Sequence, residues 1–266
     1  MKSRVTAASL MLTLAGFGLL SVEAGCHEGG NEPAKTHSKE APRKQAAEEK
    51  KPVEREKTVY GYVRVNIDSV PDVDAHTRYS GLTDEDFRIV ADELGVEVAA
   101  MKAVVSIEAG NAMKGFWAPG VPIINFDRTM YNKYRSKAPS KSGAKGEKVP
   151  PGLSGYALRQ WTQLINARKT NAQGANMGTF WGMFQIGGFN YKLCGCTSVN
   201  EFVELMAYSE LEQLELFAAF IINTGMVNDL KAKNWAAFAR KYNGPSYARR
   251  GYHTKMAAAY TRFSKQ

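Results

Sequence analysis

The sequence predicts a mainly α-helical domain with a small β-hairpin element, preceded by a signal peptide and a disordered polar tether. Three observations predict it. From Leu82 onward the apolar residues recur at helical spacing, in stripes bounded by capping residues and glycines. One turn-rich run, Ala118 to Phe126, interrupts the helices and ends in a short apolar strand. Ahead of Leu82, a basic and then apolar leader gives way to a segment too poor in large apolar residues to fold.

The leader opens with Lys2 and Arg4, continues as the uncharged run "VTAASLMLTLAGFGLL" and closes on small residues in "SVEAGC". That order is a secretory signal over residues 1–25. The apolar run is shorter than the ~20 residues a membrane span needs. Two processing outcomes are open. An ordinary signal peptidase would cut after Ala24. Alternatively "AGC" is similar to the end of a lipobox, which makes Cys26 a lipidated first residue. Glu23 departs from the aliphatic residue such a box carries, whereas the polar tether directly after Cys26 favours the lipid anchor. Both outcomes export the protein to the cell envelope.

Residues 26–58 are rich in Glu, Lys, Ala and Pro and form the tether. Within 59–81, Val63, Val65 and Ile67 alternate with polar residues as one short strand, followed by a linker, "SVPDVDAHTRYSG". Residues 82–266 form the main domain. The chain of 266 residues is 44 % hydrophobic and 23 % charged, ordinary globular usage that supports a core. Its net charge of +9 favours an anionic partner: nucleic acid, an anionic membrane or an acidic cell wall.

In the main domain Thr83 is the N-cap of a first helix. Asp86 lies three residues on, Phe87, Val90, Ala91 and Leu94 form its stripe, and Gly95 stops it. The next helix begins near Val96 and carries Met101, Val104, Val105 and Glu108 at i, i+3, i+4 and i+7, with Gly110 as its stop. After the hairpin, 136–155 reads as an exposed basic loop. Tyr156 to Ala172 is amphipathic, with Leu158, Trp161, Leu164, Ile165 and Arg168 near one face. Ser209 with Glu212 has capping-box spacing and opens a helix bearing Leu211, Leu214, Ala218, Ile221 and Ile222. Asn234 caps a short helix holding Trp235, Phe238 and Tyr242, which Gly244 and Pro245 stop. The last helix is read from about Ser246 toward Phe263.

Glu108 is the residue with chemical promise. A glutamate on an apolar stripe is partly desolvated, which raises its pKa, and the negative end of the helix dipole acts in the same direction. A carboxyl that stays protonated near neutral pH suits a general acid. The plain alternative is a glutamate at a helix end bonded to a neighbouring loop. His76 and His253 lack partners at metal-ligand spacing, and Cys194 and Cys196 in "CGC" suggest neither a disulfide nor a metal site. No phosphate-binding loop is present, so the sequence implies no metal and no cofactor. The loop lysines Lys137, Lys141, Lys145 and Lys148 lack the interleaved aromatics of a nucleic-acid surface, which argues against that partner.

Taken together, "AAMKAVVSIEAGNAMKGFWAPGVPIINFDRTMY", "FWGMFQIGGFNYKLCG" and "WAAFARKYNGPSYARRGYHTKMAAAYTRF" resemble, in order, the N-acetylmuramidase family of phage endolysins and bacterial cell-wall hydrolases. The wider likeness is to the lysozyme-like superfamily. The resemblance runs from about Leu82 to Phe263. It implies a lysozyme-like domain, a monomer in our reading, acting without cofactor on peptidoglycan glycan strands and cleaving the MurNAc–GlcNAc β-1,4 bond. It also implies that Glu108 is the catalytic acid. Where the family has F-E-R-H this chain has "FDRT", so Asp127 stands for a glutamate and Thr129 for a histidine. Ala109 replaces the serine that usually follows the acid.

Asp127 is then a candidate second carboxylate, its alternative being a structural contact such as an ion pair with Arg128. Gln185 and Trp181, in a turn and helix start beside the cleft, are candidate substrate contacts, as are Tyr242 and Asn243 of "KYNGP" and, less strongly, Asn125 and Trp117. Core packing or backbone bracing are the alternatives for each. Lytic transglycosylation of the same bond, or peptidoglycan binding without catalysis, are the competing functions.

Overall fold

The computed structural model describes residues 79–110, 112–136 and 146–266. The leader, Cys26, the tether, the strand residues Val63, Val65 and Ile67, His76 and the loop lysines Lys137, Lys141 and Lys145 lie outside them.

Local chemistry sets the first two helices. Helix α1 (Asp84–Leu94) is opened by Thr83, whose hydroxyl accepts from the Asp86 N–H while Asp86 bonds back to the Thr83 N–H, a complete capping box. Gly95 closes it in a left-handed conformation, and Phe87, Val90, Ala91 and Leu94 are all buried. Helix α2 (Val98–Glu108) starts two residues later than the stripe suggested. Ala100, Met101, Ala103, Val104 and Val105 are essentially inaccessible, so α2 is buried along most of its length. It packs against α1 and the last helix, α10 (Tyr252–Phe263). An apolar helix without a polar face is stable only in such a sandwich.

The hairpin is present, as β1 (Phe116–Ala118) and β2 (Val121–Pro122) joined through Pro119 and Gly120. Beyond it, β3 (Ile124–Phe126) leaves for a second, three-stranded antiparallel sheet, β3–β4–β5, with β4 at Thr179–Trp181 and β5 at Ile186–Gly187. The "WGMFQI" segment is therefore the tip of the β4–β5 hairpin and not a helix start. Ile124 opposite Trp181, and Trp181 opposite Ile186, place three buried apolar residues in cross-strand register.

Helix α3 (Arg128–Arg135) follows β3, and α4 (Gly155–Arg168) lies along β3, with Gln160 Oε1 accepting from the Phe126 N–H at 2.7 Å. Trp161, Leu164 and Ile165 of α4 are buried, but Leu158 is exposed because the first turn of α4 projects beyond the core. A short helix that sequence spacing did not show, α5 (Ala172–Met177), is capped by the Asn171 side chain. Then come α6 (Val199–Met206) and α7 (Glu210–Asn223), the latter capped by Ser209 accepting from the Glu212 N–H.

Helix α8 (Val227–Lys231) precedes α9 (Trp235–Asn243), capped by Asn234. Residues 246–251 are turns, and α10 begins six residues later than expected. Gly251, at φ 66°, sits in the left-handed region just ahead of α10 and prevents the helix from extending back. Trp181, Phe202, Phe217 and Phe238 are the largest side chains at the centre of the core. No helix among the described residues is long and apolar enough to cross a membrane.

Candidate active site

Glu108 is the last residue of α2, so its side chain leaves the core where the helix ends. It remains partly accessible. Asn243, the last residue of α9, meets it there: the carboxamide Nδ2 donates to both Oε1 and Oε2 at 3.1 Å. Burial pushes the Glu108 carboxyl up to about 7, and the Asn243 bonds, which favour the ionised form, only partly offset it. A carboxyl poised there holds its proton for much of the time at neutral pH. It is crowded by protein and still reachable from solvent. The Asn243 Oδ1 is buried and has no hydrogen-bond partner among the described residues.

Tyr242 does not bond to the acid. Its hydroxyl donates to the Phe184 carbonyl at 2.8 Å, its ring stacks on Phe238, and Phe217 and Phe220 meet it edge to face. Burial first, and the Glu108 charge second, drive its pKa well above the usual tyrosine value. Tyr242 therefore stays a neutral donor that ties α9 to the β4–β5 tip, and with it positions Asn243.

The tip itself is strained. Gln185 has φ 49°, a left-handed conformation unusual for a residue other than glycine, asparagine or aspartate. Its Nε2 donates to the Gly182 carbonyl at 2.8 Å and closes the turn. Strain of this kind persists only where the surroundings impose it. The surroundings here are Gln213 of α7, fully buried. Its Oε1 accepts from the Met183 N–H at 2.8 Å, and its Nε2 donates to the Met206 carbonyl at 2.8 Å and the Gly115 carbonyl at 3.3 Å. Gly182 stands at φ 70°, and a Cβ there would lie 2.7 Å from Gln213 Oε1. Sequence reasoning missed Gln213. The signal was present, since a glutamine between Glu212 and Leu214 falls on the helix face that packs inward.

The other expected residues fall elsewhere. Trp181 is fully buried, with its indole N–H donating to the Asn176 carbonyl at 3.0 Å. No face of its ring is open to a sugar, so it is a core residue and not a substrate platform. Asp127 is the N-cap of α3, its Oδ1 accepting from the Met130 N–H at 2.9 Å, a structural contact of the kind the sequence left open. It stands at the far end of the β3–β4 ladder. The Gly182 N–H meets the Ile123 carbonyl at the tip end, and the Asp127 N–H meets the Gly178 carbonyl at the other. Ile123 and Asp127 are four steps of extended chain apart, roughly 13 Å at about 3.3 Å each.

Asn125 projects from β3 on the side opposite buried Ile124 and Phe126 and accepts from the Tyr156 hydroxyl at 3.0 Å. Among the described residues no cluster of three or more His, Cys, Asp or Glu is placed to hold a metal ion. Cys194 and Cys196 are buried, and His253 packs edge-on against Tyr247.

No curated protein matches the chain. Among solved structures, the crystal structure of the Burkholderia AP3 phage endolysin is similar to it at 34 % identity and a TM-score of 0.58, covering 70 % of this chain and 73 % of that one. That likeness extends to the lysozyme-like helical fold with its small sheet. Residues 97–264 match the N-acetylmuramidase family, a span that opens at the N-cap of α2 and closes just after α10. The chain belongs to the N-acetylmuramidase family.

Proposed function

We propose that the protein is an envelope peptidoglycan hydrolase that cleaves the MurNAc–GlcNAc β-1,4 bond, with Glu108 as its general acid. Family membership supports the reaction class. The single observation that carries the assignment is a carboxyl at a helix end, poised near neutral pH by burial and gripped through both oxygens by Asn243. The Glu108 proton goes to the glycosidic oxygen as its bond to C1 of MurNAc breaks. Water then bonds to C1, and its released proton restores the acid. Carboxylate and neighbouring dipoles stabilise the oxocarbenium-like state without a cofactor. The sequence of the leader and of Cys26 supports delivery to the cell envelope.

Lytic transglycosylation is the second reading, and the placement of Asp127 favours it. Hydrolysis employs two carboxyls flanking the bond, whereas Asp127 is engaged as the N-cap of α3, its Oδ1 accepting from the Met130 N–H. With one carboxyl, the C6 hydroxyl of MurNAc could replace water. Mass spectrometry of purified sacculi digested by the protein separates the two. Reducing ends mark hydrolysis, 1,6-anhydro ends mark transglycosylation, and an absence of soluble fragments overturns both. Glu108→Gln is expected to abolish fragment release. Release by that variant at the wild-type rate would remove Glu108 from the mechanism.

A further inference from the structure

We infer a second saccharide contact on this protein: an aromatic platform built from Trp117 of β1 and Tyr156 of α4, with Asn125 and Arg159 as its polar arms, that binds the glycan strand away from the bond being cut. It rests on the peptidoglycan reading above. Tyr156 is 49 % exposed, one of three large hydrophobic residues left that open among the described residues. A tyrosine in the first turn of a helix could have turned into the protein. Instead its ring meets the Trp117 ring edge to face at 6.2 Å, and the Arg159 guanidinium lies 5.8 Å from its centroid. Residues 156 and 159 are one helical turn apart, so ring and cation share a face of α4. The Tyr156 hydroxyl is held by Asn125 at 3.0 Å, which fixes the ring in place without covering it.

Each part matches a feature of the proposed ligand. Exposed aromatic rings present flat apolar faces with a polar edge, the complement of the C–H face and hydroxyl rim of a pyranose. Exposed aromatic surface rimmed by polar groups marks an interaction site more often than chance. Arg159 is itself exposed and supplies positive charge beside the rings. The carboxylates of lactyl groups and stem peptides would meet it on one side of a strand.

Position also fits. Tyr242 joins α9 to the Phe184 carbonyl, Gln185 joins the tip to Gly182, and the Gly182 N–H joins it to Ile123, two residues before Asn125. These bonds link α9, which carries Asn243, through the β4–β5 tip to β3, which carries Asn125. A strand bound at both places would run past the tip toward β3.

The test uses full-length protein, with Glu108→Gln for binding and the wild type for turnover. Binding to insoluble purified sacculi and to N-acetylchitotetraose is measured for Trp117→Ala/Tyr156→Ala and for Tyr156→Phe. The double variant is expected to weaken binding to both about tenfold and to raise KM on sacculi with kcat unchanged. Tyr156→Phe, which keeps the ring, is expected to lose less. Trp117 also packs against the core, so the double variant should melt lower, and Tyr156→Ala alone, at an exposed position, is expected to weaken binding to both ligands with a melting temperature close to wild type. Unchanged affinity and KM in a folded double variant would overturn the platform. If the wild type releases no fragments while tetrasaccharide binding still depends on the two rings, the platform stands and the catalytic reading fails. Loss of sacculus binding alone, with tetrasaccharide unaffected, would assign the patch to stem peptides and overturn the saccharide contact.

Discussion

Asn243 holds Glu108 by donating one carboxamide nitrogen to both of its oxygens, at 3.1 Å each, across 135 residues of sequence. The bond favours the ionised carboxyl, and burial opposes it. The balance, near 7, is what makes the acid usable.

With Glu108 as the general acid proposed above, only its protonated form is active, so turnover on sacculi is expected to fall as pH rises through about 7. Fragment release measured from pH 5 to pH 9 checks this. A flat profile across that range would disconnect Glu108 from the rate.

Asn243→Ala removes a donor that stabilises the charged form. The descending limb should therefore move to higher pH, while kcat drops about tenfold from lost orientation, a barrier change of roughly 1.4 kcal/mol. A merely structural role for Asn243 would lower stability without moving the limb.

Stability should carry the same signature. The Glu108 pKa is raised above its unfolded value, so its contribution is complete below pH 4.5 and is lost as pH rises through about 7. Glu108→Gln should then stabilise the fold at pH 8, by roughly 2 kcal/mol at about 1.4 kcal/mol per pKa unit after allowance for the water that reaches the carboxyl. The gain should vanish at pH 4. Thermal melts of both proteins at the two pH values decide the matter.

Gln213→Leu strands the Met183 N–H and the Gly115 and Met206 carbonyls in the core. The expected loss is about 2–4 kcal/mol. Turnover should fall even well below the new melting temperature, because the 182–185 turn loses its brace. Denaturant titration together with activity at 15 °C reads both effects.

Asp127→Ala should cost about 1 kcal/mol, the worth of an N-cap, and lower kcat less than tenfold. Glu108→Gln should lower it by about a thousandfold. Equal losses in the two variants would restore Asp127 as the second carboxylate.

Signals within one helix were legible in the sequence. Thr83, Asp86 and Gly95 bound α1 by contacts within a turn or so of themselves, and Asn234 and Gly244 do the same for α9. Glu108 could be singled out because a carboxylate on an apolar stripe has few explanations. The β4–β5 hairpin could not, because its tip is shaped by Gln213, about thirty residues on, and by Tyr242, almost sixty on. The same limit explains Trp181. Its burial follows from cross-strand neighbours Ile124 and Ile186 and from α4, where Trp161 meets it edge to face at 6.4 Å, and local spacing reveals none of these. Asp127 stayed ambiguous in the sequence because a carboxylate ahead of a helix is equally good chemistry for a cap, the contact it makes with the Met130 N–H.

The long separation between acid and holder has a consequence for biosynthesis. Until the ninth helix has been made and docked, Asn243 is not in place to hold the carboxyl at the end of the second. The pairing of carboxyl and amide is therefore completed only when the C-terminal part of the domain has folded.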